Sequence, residues 1–295
     1  MQTHFKTIGI LGKPSAPDIG ETLSRLYHFL KQQFRVFIDD NSAQFTHATP
    51  EECCSIEDLG KHCDLIIAAG GDGTFLGAAR ISAKYNTPLL GVNLGRLGFL
   101  TDISPHQLEE TLGLIFKGEF NEEHRWLLRT KIIRNNEIIH EQTAVNEVVV
   151  HRWVTPSMIE ITTYIDGVYL NTQRSDGLIV STPTGSTAYA LSGGGPILHP
   201  SLNALVLVPI NPHTLSNRPI VINDSVKIEI SFSQTKQINA QVTCDHLEIP
   251  NVLIGDKILI QKDPKPIRIL HPKNHDFFHI LREKLHWSGH YTTPG

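Results

Sequence analysis

The sequence predicts an α/β fold in two parts, a doubly wound N-terminal portion followed by a mostly antiparallel β domain. Three observations predict it. The chain has 295 residues, more than one hydrophobic core comfortably serves, so two domains or one enlarged α/β domain are expected. Roughly the first 120 residues alternate uniformly apolar strand segments with amphipathic helical ones, the pattern of a parallel sheet covered on both faces. After His124 helical periodicity nearly disappears, and short β-rich segments alternate with turn residues.

In order along the chain, Thr7 to Gly12 (TIGILG) reads as a buried strand. Thr22 to Phe34 follows as a helix with Leu23, Leu26, Phe29 and Leu30 on one face. Strand and helix recur as Arg35 to Ile38, then Asp64 to Ala69 (DLIIAA) before a Gly-rich turn and the helical Phe75 to Lys84. Pro88 to Asn93 before Pro105 to Lys117 repeats the unit once more. In the second part, Trp126 to Arg134, Glu137 to Val150, Met158 to Ile165, Leu178 to Ser181, Val226 to Phe232 and Val252 to Ile260 are β-rich. Asn135-Asn136, Asp166-Gly167 and Asn223-Asp224 supply turns between them. Asp276 to Trp287 returns to helical spacing with Phe277, Ile280, Leu281 and Leu285 on one side, and is expected to pack back on the first domain. The expected boundaries are 1–124, 125–272 and 273–295.

Composition excludes several classes. Apolar residues make up 40% and charged ones 19%, enough to bury cores and too little charge for a disordered chain. With 26 basic against 30 acidic side chains the net charge is -4, so no nucleic-acid partner is expected. No apolar run approaches the roughly 18 residues of a membrane span, and no signal peptide is read in Met1 to Gly12. A soluble, cytoplasmic protein without a membrane partner is expected. Cys53, Cys54, Cys63 and Cys244 form no CxxC pair, consistent with reduced thiols. The 16 histidines fall in no HExxH spacing.

Four stretches could carry chemistry. Gly70-Gly71-Asp72-Gly73-Thr74 sits at the end of an apolar strand and opens a helix. Glycines there let successive amides curl around an anion at the positive end of the helix dipole, and phosphate is the natural guest. A carboxylate in such a nest repels phosphate, so Asp72 is expected to accept a proton from an attacking hydroxyl or to hold Mg²⁺ against phosphates. The bland alternative is a tight turn whose Asp caps the helix. No GxxxxGK[ST] occurs, and Gly71, Gly73 and Gly77 are spaced one residue longer than the dinucleotide fingerprint.

The second stretch, Arg174 to Leu198, carries Ser181, Thr182, Thr184, Ser186 and Thr187, then Tyr189, then three consecutive glycines. It offers small donors, close backbone approach and an aromatic face for a ring, the makings of a nucleotide-binding loop. A flexible linker would not carry Ile179, Val180 and Tyr189 among the hydroxyls. Third, Asn146-Glu147 interrupts an apolar strand, and an amide beside a carboxylate can hold both hydroxyls of a ribose. A strand end facing water is the alternative. Fourth, Cys244-Asp245-His246 reads as a solvated turn in preference to a catalytic dyad.

Together these residues resemble the NAD kinases. GGDGT at Gly70 to Thr74, NxGxLGFLTD at Asn93 to Asp102, NEVV at Asn146 to Val149, DGLIVSTPTGSTAYALSGGGPI at Asp176 to Ile197 and PHTLSxRP at Pro212 to Pro219 follow that family's order and spacing. The likeness reaches the LREKLHW tail at Leu281 to Trp287. GGDG alone is shared with diacylglycerol and sphingosine kinases and phosphofructokinases; the long Ser/Thr/Gly run is specific. The resemblance implies a Rossmann-like N-terminal domain, a C-terminal β-sandwich, and an active site between them and at a subunit contact of a homotetramer. It implies transfer of a phosphoryl group from ATP to NAD⁺ with a divalent metal, Mg²⁺, whose ligands are unknown.

By the same resemblance Asp72 is the base for the 2′-hydroxyl of the adenosine ribose, with Gly73 beside it. Gly70, Gly71, Gly73 and Thr74 would take the ATP phosphates. Asn146 and Glu147 would hold the NAD adenosine half. Asp176 and Ala188 would lie by the nicotinamide, with Thr187, Tyr189, Ala190, Leu191 and Ser192 along the NAD pocket. Arg174 would supply positive charge, and Asp245 and His246 would contribute across a subunit interface. Ser157 stands where relatives often carry a larger polar residue, so no ligand contact is expected of it. A carboxylate at Asp176 would favour the cationic nicotinamide of NAD⁺ over neutral NADH. The competing readings are a diacylglycerol-type lipid kinase and a non-catalytic NAD(P)-binding sensor.

Overall fold

The computed structural model describes residues 5–12, 17–94, 98–153, 158–232, 240–253 and 255–287. The chain divides into two compact units, 1–124 with 267–295, and 125–266.

The elements begin with β1 Thr7–Gly12, α1 Pro17–Lys31, β2 Arg35–Asp39, β3 Cys53–Cys54, α2 Ile56–His62, β4 Leu65–Gly70, α3 Asp72–Tyr85, β5 Leu89–Asn93, α4 Leu108–Phe116 and β6 Phe120–Arg125. Next come β7 Leu128–Arg134, β8 Glu137–Ala144, β9 Glu147–Arg152, β10 Ile159–Ile165, β11 Val168–Ser175, β12 Gly177–Ser181 and α5 Tyr189–Ser192. They are followed by β13 Ala204–Ile210, β14 Ile220–Asn223, β15 Ile228–Phe232, β16 Ala240–Cys244, β17 Leu247–Ile249 and β18 Lys257–Lys262. β19 Ile267–Pro272 and α6 Phe277–Leu285 end the described fold.

The first unit is built on a seven-stranded sheet in the order β3-β2-β1-β4-β5-β19-β6. β1, β2, β4 and β5 pair in parallel with their neighbours, as strands buried on both faces must when helices make the crossovers. β4 is buried at every position. On one side α1 seats Leu23, Leu26, Tyr27 and Leu30, and α4 seats Leu108, Leu112, Ile115 and Phe116, against Ile8, Ile10, Ile67 and Val92. The chain runs outward from β1 to β2 and then back past β1 to β4, so the order reverses between β1 and β4. In open α/β sheets that reversal opens a crevice at the carboxyl ends of the strands, where ligands bind. The turn after β4 begins there, with Gly70 its last strand residue.

β19 joins this sheet in parallel with β5 through Ile269 and Leu89. The sequence reading had put residues 267–272 in the β domain. An apolar strand of this length reads alike in either setting, and only the long-range pairing with β5 assigns it. α6 belongs to the first unit as expected, with Ile280 and Leu281 buried and the Lys284 ammonium over the Phe99 ring.

The second unit is a β-sandwich. Its sheets run β11-β10-β15-β18-β7-β8 and β14-β13-β12-β9-β16-β17. Alternate residues of both, among them Leu128, Ile132, Val148, Val150, Val180, Leu207, Ile230, Val242 and Ile258, form one core, the expected result of period-2 side chains on two facing sheets. The segment read as one strand over 137–150 is two, broken by a bend at Val145 and Asn146. β11 went unread because its outer residues are polar or exposed; it is an edge strand.

Candidate active site

In the first unit the catalytic candidate lies at the start of α3. Gly71 is the residue before the helix, in extended conformation, and Asp72 is the first helical residue. Its carboxylate is gripped from outside the helix: the Phe99 amide donates to Oδ2 at 3.1 Å and the Leu100 amide to Oδ1 at 3.0 Å. Among the described residues each oxygen accepts one N–H, which leaves it a lone pair for a ligand. Gly98 makes this closeness possible, since a Cβ there would sit 2.3 Å from Asp72 Oδ1 and 2.4 Å from Thr101 Oγ1. Gly71 and Gly73 border open space, with nothing within 4 Å of an added Cβ. Gly70 differs, because its Cβ would strike the Thr74 side chain, and Thr74 is buried. Two of the four phosphate-loop candidates thus present free backbone to a ligand, while Gly70 and Thr74 shape the turn. The open amides at a helix N-terminus suit an anion.

The second unit carries a separate cavity of about 440 Å³ on the outer face of its second sheet. Period 2 along β9 explains the lining. Val148 and Val150 point into the sandwich core, which leaves Glu147, Val149 and His151 on the cavity side with Arg152 at the strand end. Thr243 and Asp245 from β16 and its turn, Asp176 before β12, Tyr189 of α5, Ile210 at the end of β13 and Asn211 just after it complete it.

Among the described residues two neighbouring acceptors are buried without a hydrogen-bond partner, Glu147 Oε2, whose residue lines the cavity, and Asn146 Oδ1 on the bend just before it. Burial, reinforced by the neighbouring Asp245 charge, raises the Glu147 carboxyl from its ordinary 4.5 to about 8. At neutral pH it is mostly protonated and can donate as well as accept, a change from the ionised carboxylate the sequence reading assumed. Asp245 has left-handed backbone, φ 55°. Its carboxylate takes the amides of Val145 at 3.1 Å, Asn146 at 2.8 Å and Glu147 at 3.3 Å. It caps the bend that presents Asn146 and Glu147, and His246 beside it is exposed.

The hydroxyl run divides between scaffold and surface. Ser181 and Thr182 donate to the carbonyls of Asn146 and Val145, and Ser186 bonds Pro183 and Leu198. All three are buried, so they brace the loop and are not the free ligand donors the sequence suggested. Ala190 is fully buried against Val149, Ile179, Val206 and Val208, which pins the loop to the sheet; it presents no ligand surface. Gly193 and Gly195 approach Val208, and Gly194 takes φ +83°, so this triplet serves packing and a turn. Thr187, Ala188 and Leu191 are half-buried, while Tyr189 and Ser192 are exposed. Tyr189 alone of these five lines the cavity.

Asp176 is not a free carboxylate. Arg152 Nε lies 2.9 Å from its Oδ1, and Asn211 donates to Oδ2 at 3.0 Å. Arg174 is exposed on β11 and lines no part of the cavity; Arg152 is the arginine that does. Sequence reasoning missed Arg152, His151 and Asn211. Alternation along β9 could have placed His151 beside Glu147, but no local signal pairs residues 152 and 176. It also missed the amides of Phe99 and Leu100, although their motif had been noticed. Ser157 lies outside the described residues.

Among the described residues one His/Asp group has metal-ligand composition, Asp102, His271 and His275 of the first unit. His271 Nδ1 at 2.9 Å and His275 Nδ1 at 2.6 Å both approach Asp102 Oδ2.

Comparison with known proteins adds an independent line. Residues 8–120 match the family described as ATP-NAD kinase N-terminal domain, and residues 145–271 match ATP-NAD kinase C-terminal domain. The chain is 50% identical over 288 residues to an NAD kinase of Methylococcus capsulatus, covering 98% of this chain and 99% of that one. It is 46% identical over 290 residues to an NAD kinase of Shewanella oneidensis, covering 97% and 98%. Among solved structures, an NAD kinase from Archaeoglobus fulgidus in complex with ATP aligns at TM-score 0.72 and 29% identity, over 95% and 98% of the two chains. Yeast NADH kinase complexed with NADH shares the fold at TM-score 0.88 and 24% identity, over 98% of this chain and 90% of that one.

Proposed function

The chain belongs to the NAD kinase family, and from that premise we propose that it transfers the γ-phosphoryl group of ATP to the 2′-hydroxyl of the adenosine ribose of NAD⁺, giving NADP⁺ and ADP. The observation that carries the assignment of acceptor is the buried, unpartnered Glu147 Oε2 on the lining of a 440 Å³ cavity, with the equally unpartnered Asn146 Oδ1 on the preceding residue. Leaving such groups unpaired costs roughly 1–3 kcal/mol each, a cost that a ribose hydroxyl pair would remove. A diacylglycerol has a single hydroxyl, the one to be phosphorylated, and so has no second hydroxyl for this pair.

The chemistry asked of the protein is mainly positioning and charge stabilisation. The 2′-oxygen attacks the γ-phosphorus, the bond from that phosphorus to the β-bridging oxygen breaks, and the hydroxyl proton passes to Asp72. The two amide bonds fix the Asp72 carboxylate in one orientation. The open backbone at Gly71 and Gly73 admits phosphate oxygens to the N-terminus of α3. A divalent cation, Mg²⁺ in this reading, suits the donors present, since each Asp72 oxygen accepts one N–H and has capacity left. Bound with ATP, such an ion neutralises phosphate charge. In the cavity, Tyr189 offers a ring face and the Arg152–Asp176 pair meets the nicotinamide end.

A homo-oligomer, a tetramer in this reading, is supported by the apolar residues Val168, Tyr169 and Leu170 exposed on edge strand β11. A cytoplasmic location agrees with four free cysteines. Among the described residues no helix is long and apolar enough to cross a membrane.

The direct test incubates the protein with ATP and Mg²⁺ plus NAD⁺, NADH or diacylglycerol, and measures ADP and phosphorylated acceptor. NADP⁺ appearing in step with ADP is expected. Phosphatidic acid instead, or nucleotide binding with no ADP, would replace this reading with the lipid kinase or the sensor.

A further inference from the structure

The reading of Asp72 as the base raises the question of what holds its own clamp in place. The turn from Gly98 to Asp102 supplies both amides on the Asp72 carboxylate, through Phe99 and Leu100. At its far end Ile103 bridges to Val92 of β5. Asp102 itself turns away from Asp72 into the C-terminal part of the first unit, with its side chain only 9% exposed.

There it meets two histidines. Nδ1 of His271, on β19, lies 2.9 Å from Asp102 Oδ2, and Nδ1 of His275, between β19 and α6, lies 2.6 Å from the same oxygen. The two imidazoles stack with centroids 3.9 Å apart. The other nitrogen of His271 faces Glu123 Oε2 of β6 at 3.0 Å. Carboxylates only accept, so this arrangement favours a proton on both nitrogens of His271. Burial alone would raise the Asp102 carboxyl, but hydrogen bonds and charge from the two histidines outweigh it and hold it at about 2. The same C-terminal segment touches the turn again where Lys284 of α6 lies 5.7 Å from the Phe99 ring centroid.

The donor set could suit a tetrahedral cation, but the geometry is closed by protons. Both Nδ1–H groups already point at one oxygen at hydrogen-bond distance. An ion about 2.0–2.1 Å from each ligand atom at a tetrahedral angle would set N···O near about 3.3 Å, so the carboxylate would have to withdraw by roughly 0.4–0.7 Å. Both histidines share Asp102 Oδ2, while Oδ1 of the same carboxylate is buried without a hydrogen-bond partner among the described residues; the position of this link along the chain defines what it joins.

We propose that Asp102, held by His271 and His275, is a positioning residue for phosphoryl transfer: it anchors the turn whose Phe99 and Leu100 amides orient the Asp72 carboxylate. The proposal rests on the reading of Asp72 as the base. Its physical content is that a reacting group displaced by about 1 Å can lose on the order of 10²-fold in rate while substrate binding persists.

The test is a double-mutant cycle between Asp102 and Asp72, read as kcat and KM for both substrates with a sensitive NADP⁺ cycling assay. Asp102→Ala should lower kcat by about 10- to 100-fold with KM for ATP and NAD⁺ changed less than about threefold. In an Asp72→Asn background the same substitution should lower kcat no further than about threefold, because a residue acting through Asp72 has nothing left to act on. His275→Gln, at a site with a side chain 14% exposed, is the milder variant should Asp102→Ala not fold, and should follow the same pattern with a smaller loss. All rates are taken well below each variant's melting temperature. Wild-type kcat in both turn variants, or losses that multiply in the double variant, would overturn the proposal while leaving Asp72 as the base. Near-wild-type kcat in Asp72→Asn alone would remove the base reading, and this proposal with it.

Discussion

Glu147 gives the protein a pH-dependent stability whose sign and size follow from its burial. Its carboxyl is raised from 4.5 to about 8, first by desolvation and then by the Asp245 charge. A raised value means that the folded state holds this proton over an interval in which the unfolded chain has released it. The stabilisation is therefore complete below about pH 4.5 and is lost as pH rises through about 8. Each pH unit within that interval is worth about 1.4 kcal/mol, so the full interval amounts to about 5 kcal/mol, an order-of-magnitude figure. Replacing Glu147 by Gln keeps the shape of the protonated acid and removes the titration. Urea unfolding of both proteins at pH 5.5, 7 and 9 measures the difference. At pH 5.5 the Gln variant should be the more stable by only about 1.4 kcal/mol; at pH 9 it should be the more stable by about 5 kcal/mol. Comparing them cancels the acid-side losses from Glu52, Asp102 and Glu122, each held at about 2 and so destabilising only as pH falls. A difference that stays constant from pH 5.5 to 9 would refute the argument, and would mean that Glu147 reaches solvent or a compensating cation.

Asp72→Asn should cost about 10²- to 10⁴-fold in kcat, the worth of one positioned general base. It should leave the melting temperature nearly unchanged, because the Asn oxygen can still accept one of the two amides; near-wild-type turnover would exclude the base role. Gly185→Ala should destabilise the second unit by about 1–3 kcal/mol, since the new Cβ would lie 2.4 Å from the Asn146 carbonyl oxygen, and an unchanged denaturation midpoint would count against that close approach. Arg152→Ala should raise the preference for NAD⁺ over NADH in kcat/KM by roughly 3- to 10-fold, because it uncovers the Asp176 charge in a half-exposed site. An unchanged ratio would place the nicotinamide away from Asp176.

What was legible in the sequence was whatever depends on neighbours along the chain. The apolar run of β4, the glycines after it and the helix beginning at Asp72 lie within a few residues, so strand, turn and helix N-terminus could be read as one unit. The alternation of Val148 and Val150 likewise marks a sandwich strand. Pairing across the chain was not legible. β19 carries an ordinary apolar pattern and joins the first sheet only through β5, far away in sequence. Arg152 at the end of β9 and Asp176 between β11 and β12 neutralise one another, which turned an expected free carboxylate into half of an ion pair.

The Ser/Thr/Gly run makes the same point from the opposite side. Its specificity as a pattern suggested a ligand at nearly every hydroxyl, yet Ser181, Thr182 and Ser186 spend theirs on carbonyls of the protein. Gly185, Gly193 and Gly195 leave room for other parts of the protein, not for a ligand. A loop that must hold a fixed shape on the outer face of a sheet needs buried polar partners and missing side chains as strictly as a binding site does. Such residues are constrained by the geometry they impose on their neighbours, among them Asn146 and Glu147, whose side-chain oxygens Oδ1 and Oε2 have no partner among the described residues.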